Sequence, residues 1–319
     1  MLASSFSILL PVLFVIALGY AAGRSRKFDA DQVKGINELV LDFALPAIMF
    51  VGIVKAGAHP PQGETTFLIA ITLALVAFYA VVVLVSVYGL RRPLGEAALQ
   101  ACLLSFPSVA FMGIPIFDGL FGESGVLSVT MATVIANLTI APMTVLLLEM
   151  HALRKLRAEG ETVPLNVEVF AALKSGFLKP VVWAPIAALV VVATGIRVPE
   201  VIDNMLSLIG SATSGVSLFA AGLIIAAYKV TVSREIISNV VTKMIAQPLF
   251  AVLLVALLGV GDPLSRELIL MCAIPSSAVA VLLAPRYGAY ETESASTLVL
   301  TSFAMFAIMP LAIMLTGGM

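Results

Sequence analysis

Lys243 and Asp42 are ionisable side chains set inside long apolar runs of this 319-residue chain. If those runs cross a membrane, each charge costs on the order of 2.5–3.5 kcal/mol on insertion scales, and such residues are read first as functional. Lys243 opens the stretch Lys243-Met244-Ile245-Ala246-Gln247-Pro248, in which Gln247, four residues on, shares its helix face. An ammonium and an amide on one face can hold a carboxylate by charge and by hydrogen bonds. Lys243 could equally pair with a carboxylate of the protein, or extend its stem to the membrane surface. Asp42, in Asn37-x-x-Val40-x-Asp42-x-x-Leu45-Pro46, is a candidate proton-coupling group, because burial disfavours the charged form. A structural bond to a neighbouring polar group is its other reading.

Prolines supply the second chemistry. Pro107, Pro115 and Pro275 stand inside apolar runs, where a missing N–H and a clash with the preceding turn break or kink a helix. Broken backbone at membrane depth is tolerated only where protein buries it or water fills a cavity. Ser105, Pro107 and Ser108 in one run would then meet Pro275, Ser276 and Ser277 in another, and freed N–H groups at half-helix N-termini would favour an anion. Ordinary proline kinks are the plainer alternative. Asn137 and Asn37 carry amides suited to a carboxylate and equally suited to joining helices. Asp118 and Arg286, at the far ends of the broken runs, read as interfacial anchors. No nucleophile elbow, His-Glu helix motif or phosphate-binding glycine loop accompanies these residues, so neither an enzyme, a metal nor a cofactor is expected.

The elements that must position these groups follow from composition. The chain is 61 % hydrophobic and 12 % charged, with mean hydropathy +1.10, far from the roughly 25 % charged of soluble domains. A net charge of −1 gives no basic surface for nucleic acid. Cys102 and Cys272 lie in apolar runs and act as small hydrophobes. A hydrocarbon core about 30 Å thick takes roughly 20 residues of helix. Ten segments qualify, some interrupted, near 3–23, 36–56, 66–89, 98–121, 125–149, 169–195, 201–227, 236–260, 266–286 and 293–316. The first has its basic residues after it, unlike a cleaved signal peptide, and reads as a retained helix. Fourteen of the 18 Lys and Arg fall in one alternating set of loops, which makes that set cytoplasmic and both termini external.

A shift of 168 residues lays Pro107-Ser108-x-Ala110 on Pro275-Ser276-x-Ala278, and Ser128, Thr133 and Pro142 on Ser296, Thr301 and Pro310. The chain therefore divides into a five-helix repeat over 1–150, a polar cytoplasmic connection over 151–168 and a second repeat over 169–319. Five is odd, so the second copy enters the membrane from the opposite side. An all-α membrane fold of ten helices in two inverted repeats is expected, with segments four and nine broken.

These motifs resemble the auxin efflux carrier family of membrane transporters, whose bacterial members include malonate or related dicarboxylate carriers. The resemblance runs over nearly the whole chain. It rests on Leu45-Pro46-x-x-x-Phe50, on Ser105-Phe106-Pro107-Ser108-x-x-Phe111-Met112-Gly113-Ile114-Pro115 with Leu120-Phe121-Gly122, and on Leu218-Phe219-Ala220-Ala221-Gly222-Leu223. Lys243 with Pro248, and Pro275 with Ala284-x-x-Tyr287-Gly288, complete it. It implies that segments four and nine cross and bind the cargo there, and that segments three to five and eight to ten move like an elevator against one, two, six and seven. Ser108 stands where many relatives are expected to have Asn, so cargo identity does not carry over directly. The short central connection favours a bacterial inner-membrane carrier of a malonate-like dicarboxylate over one for auxin.

Two other functions compete. A sodium-coupled symporter of the bile-acid type would need several hard oxygen ligands at the crossing, where this chain offers mainly serines. A non-transporting membrane sensor would carry a soluble signalling appendage. The partners expected are the anion and the lipid bilayer, with a homodimer left open.

Overall fold

A computed structural model of the chain describes residues 2–57, 64–158, 180–227, 230–277 and 279–317. Most of the central connection, the start of segment six, His59, Lys229 and Ala278 lie outside them. The described residues are almost all helical and contain no strand, as so apolar a chain requires, since helices satisfy their own backbone in lipid. Among them, four helices are long and apolar enough to cross a membrane unbroken, namely Thr65–Gly89, Glu123–Ala152, Arg234–Leu258 and Glu291–Thr316. These are segments three, five, eight and ten.

Three stretches of π-helix lie directly before prolines. They are Leu39–Ala44 before Pro46, Val109–Gly113 before Pro115, and Thr242–Ala246 before Pro248. A widened turn relieves the clash between a proline ring and the carbonyl four residues back, and it re-aims the side chains it carries. Asp42 and Lys243 both ride on such turns. Another π-helix, Leu73–Ala77 in segment three, lies 169 residues before Thr242–Ala246 in segment eight, close to the spacing that relates the two prolines.

Packing falls into two groups. The helix Leu2–Arg24 packs along Ala212–Ala227, and Leu45–Gly57 packs on Pro180–Thr194 and Glu200–Gly210. Segments one, two, six and seven thus hold one another. Segments three, four and five pack together with eight, nine and ten. The tightest approach is in the first group. A Cβ on Gly19 would stand 2.1 Å from the Phe219 carbonyl oxygen, and one on Gly222 would stand 2.2 Å from the Ile16 oxygen. Small residues are what let membrane helices meet backbone to backbone.

Candidate functional site

Segment four is helical over Leu94–Ser105, opens at 106–108, and resumes at Val109. Segment nine is helical over Leu264–Cys272, opens, and resumes at Val279. Each break falls at the proline, because Pro107 and Pro275 cannot continue the ladder. The two openings lie against each other as an antiparallel bridge between Pro107 and Ser276. The Ser108 N–H donates to the Pro275 carbonyl at 2.8 Å, and the Ser277 N–H donates to the Phe106 carbonyl at 2.8 Å. Residues 167 to 171 apart in the sequence thus meet in one small sheet-like contact in the middle of a helical protein.

This corrects one expectation. The amides of Ser108 and Ser277 are spent on the reciprocal bridge and are not free for an anion, and the Ser276 N–H donates to Thr301 Oγ1 at 3.3 Å. An unsatisfied buried amide is costly, so the two halves satisfy each other's breaks. Left unpartnered are two fully buried hydroxyls, Ser105 Oγ and Ser276 Oγ.

Lys243 supplies the charge. It is fully buried, and its Nζ donates to Gln247 Oε1 at 2.5 Å, while Gln247 Nε2 donates to the Ser105 carbonyl at 3.2 Å. This carbonyl belongs to the last residue before the first break, and Cys272, the last before the second break, is also a neighbour of Lys243. Among the described residues, no carboxylate lies within 4.0 Å of Lys243. A buried ammonium without a counter-ion loses several kcal/mol of hydration. The same position answers whether Lys243 snorkels: it does not, since no part of it reaches the surface.

Of the residues singled out in the sequence, Ser105, Pro107, Ser108, Lys243, Gln247, Pro275, Ser276 and Ser277 are all buried around the crossing. Two stand apart. Asn137 is half-buried and gives an amide hydrogen to the Thr133 carbonyl of its own helix at 2.8 Å, although that helix packs on the π-turn after the first break. Asp42 is exposed on the outer surface of segment two, beside Phe43. The burial on which a coupling role for Asp42 rested is therefore missing, because the π-turn at Leu39–Ala44 points it outward.

Sequence reasoning passed over two features. One is a cavity of about 410 Å³ on the Gly122 side, lined by Lys55, Ser207, Asp118, Glu123 and Ser124 among others, and by none of the residues at the crossing. Lys55 pairs with Asp203 at 3.4 Å beside it. The other is a polar chain at the opposite end. Arg92 pairs with Glu235 and lies over the Tyr290 ring at 5.7 Å. Nearby, Ser86 Oγ donates to Gln100 at 2.6 Å, Gln100 to Asn239 at 2.7 Å, and Asn239 to the Tyr290 hydroxyl at 2.9 Å. Burial works against the Arg92 charge, yet Glu235, by hydrogen bond and charge, holds the guanidinium pKa above its usual value. These residues are scattered along the sequence, and only the fold brings them together.

An all-helical, apolar, multi-pass chain with a buried, unpaired cation between two broken helices has the anatomy of a membrane transporter. Residues 4–315 match the family described as membrane transport protein, that of the auxin efflux carriers, and the chain belongs to it. It is 32 % identical over 313 residues to the uncharacterized transporter YfdV of Escherichia coli (strain K12), covering 95 % of each chain. Similarity extends to the putative malonate transporter of Rhizobium meliloti, 22 % identical over 303 residues, 92 % of this chain and 90 % of that one. It also extends to auxin efflux carrier component 8 of Arabidopsis thaliana, 21 % identical over 348 residues, with 94 % and 93 % covered.

Proposed function

We propose that this transporter carries a small organic anion across a bacterial inner membrane, and that the anion's carboxylate is gripped by Lys243 with the hydroxyls of Ser105 and Ser276. The observation that carries this is the burial of Lys243 beside the crossing with no carboxylate within 4.0 Å of it among the described residues. A cargo carboxylate supplies the missing charge, and two unpartnered hydroxyls supply hydrogen bonds. A malonate-like dicarboxylate is the preferred cargo and an auxin-like carboxylate the alternative, in line with the names borne by two relatives.

The route is alternating access by two inverted five-helix repeats, with segments three to five and eight to ten moving against one, two, six and seven. Supporting it are the two packing groups, the reciprocal bridge and the recurrence of a π-turn at 169 residues. The bias of Lys and Arg supports placing both termini outside.

Purified protein screened by thermal shift against small mono- and dicarboxylates tests the reading. A ligand bound to the native state adds RT ln(1 + [L]/Kd) of stability, so malonate should raise the unfolding temperature of the native protein and lose that effect in Lys243→Ala. If no carboxylate stabilises the protein, or Lys243→Ala responds as the native chain does, the site is elsewhere.

A further inference from the structure

Among the described residues, two charged side chains are buried: Lys243 and Glu267, both with no exposed surface. Lys243 belongs to the crossing; Glu267 has no part in it. Glu267 sits in the first turn of Leu264–Cys272, the first half of broken segment nine, about 9–12 Å along the chain axis from the break at 1.5 Å per residue. Its carboxyl is gripped by two serines one turn apart on segment five. Ser124 Oγ donates to Oε1 at 2.8 Å, and Ser128 Oγ donates to Oε2.

We propose that Glu267, held by Ser124 and Ser128, is a protonatable carboxyl that exchanges protons with the Gly122-side cavity and couples proton movement to anion movement. The inference rests on the anion-carrier reading above.

Three observations carry it. First, nothing basic compensates the carboxylate. Among the described residues, no Lys, Arg or His nitrogen lies within 4.0 Å of it, and the adjacent Arg266 extends toward the chain's end, with Nη2 3.5 Å from where a Cβ of Gly317 would stand. Among the described residues, the elements packed on this helix offer only like charge. Segment five brings Glu123, with Asp118 just before it, and Asp262 precedes the helix. Segment eight contributes none from Gln247–Leu258, and Glu291 and Glu293 of segment ten stand at the other membrane face. A fixed, unpaired negative charge in that place is costly, whereas a carboxyl that takes up a proton is not.

Second, the protein uses neutral amides where stitching alone is needed. At the opposite end the second turns of segments four and eight are tied by Gln100 and Asn239, which reach Ser86, Tyr290 and Thr297. Gln at 267 would accept from one serine and donate to the other's oxygen without a buried charge, so the acid is there to titrate.

Third, there is a path. Ser124 lines the cavity and bonds Glu267 directly, so one hydroxyl separates the carboxyl from that space. On protonation, a proton from water in the cavity binds the carboxylate, and one of the serines turns from donor to acceptor; release reverses both.

Charge balance then sets the direction. In the empty protein the Lys243 cation and the Glu267 anion cancel. A bound malonate dianion outweighs Lys243, and protonation of Glu267 lowers the resulting excess of negative charge by one, so proton and anion travel together.

Proteoliposomes loaded with potassium and valinomycin, with radiolabelled malonate as the probe, test this. With the potential held at zero, one proton per malonate allows accumulation of up to about tenfold per unit of pH difference, acid outside. Native protein should approach that value, Glu267→Gln should fall to a ratio of one, and Glu267→Asp should recover part of the response. Infrared difference spectra between acid and alkaline buffer should show a protonated-carboxyl band that Glu267→Gln lacks, a readout that stands even if the variant is inactive. Undiminished gradient-driven accumulation in Glu267→Gln overturns the proposal. So does malonate exchange by the native protein that ignores the proton gradient or follows a sodium gradient instead, and either result leaves the anion site standing. Failure of the native protein to bind or exchange malonate at all overturns the anion reading and this inference with it.

Discussion

Lys243 reaches Gln247, one turn along its own helix, at 2.5 Å, and through the Gln247 amide it is joined to the carbonyl of Ser105, the last residue before the first break. The cation is thus tethered to the crossing by a side chain of its own segment, and no carboxylate among the described residues pairs with it. Charge-assisted hydrogen bonds contribute about 1.5–3 kcal/mol, which corresponds to roughly ten- to more than a hundredfold in affinity. Lys243→Ala should therefore weaken uptake at least tenfold. Relief of the buried charge offsets the lost Gln247 bond and the space left by the side chain, so a near-native melting temperature with lost malonate uptake is the expected pair of results; unchanged uptake kinetics would remove Lys243 from the site.

Ser105→Ala and Ser276→Ala probe the two orphan hydroxyls. Each lacks a partner in the empty protein, so its loss should leave unfolding within about 0.5 kcal/mol of native. Bound cargo would use them, and one neutral hydrogen bond is typically about 0.5–1.5 kcal/mol. The malonate Kd should rise about threefold to tenfold in each variant. An unaltered Kd by calorimetry for both would show that the hydroxyls face no ligand.

Gly222→Val tests the seam between segments one and seven. Its Cβ would press on the Ile16 oxygen at 2.2 Å and the Tyr20 nitrogen at 2.6 Å, both backbone atoms that cannot swing aside. Overpacking of this kind costs about 1–3 kcal/mol, occasionally more. Thermal unfolding in detergent should fall by several degrees, while an unshifted transition would mean that the two helices separate readily.

At the opposite end from the cavity, Arg92 and Glu235 tie the loop after segment three to the start of segment eight, with side chains 17 % and 31 % exposed. Because Arg92 also covers Tyr290, the pair belongs to a network and is not an isolated surface contact. A double-mutant cycle with Arg92→Ala and Glu235→Ala should return a coupling of about 0.5–3 kcal/mol. Strict additivity would reduce the pair to an ornament of the surface.

The residues themselves determined that this chain lives in a membrane, where its helices would be interrupted and that an ammonium, Lys243, would sit inside an apolar run. Apolar length and proline chemistry are local properties, written in neighbouring residues, and Pro107, Pro275 and Lys243 announce them. Even the contact between the two prolines was foreshadowed, because a repeat at fixed spacing is also a property of the string. Tertiary structure alone decided what each polar group meets. It closed the amides of Ser108 and Ser277 onto each other's carbonyls, turned Asp42 outward on a widened turn, and brought Ser124 and Ser128 onto Glu267 across 139 to 143 residues. Hydrogen bonds and burial depend on distance in space, and in a helical membrane protein the partners at that distance come from segments whose order along the chain says little about which faces will touch.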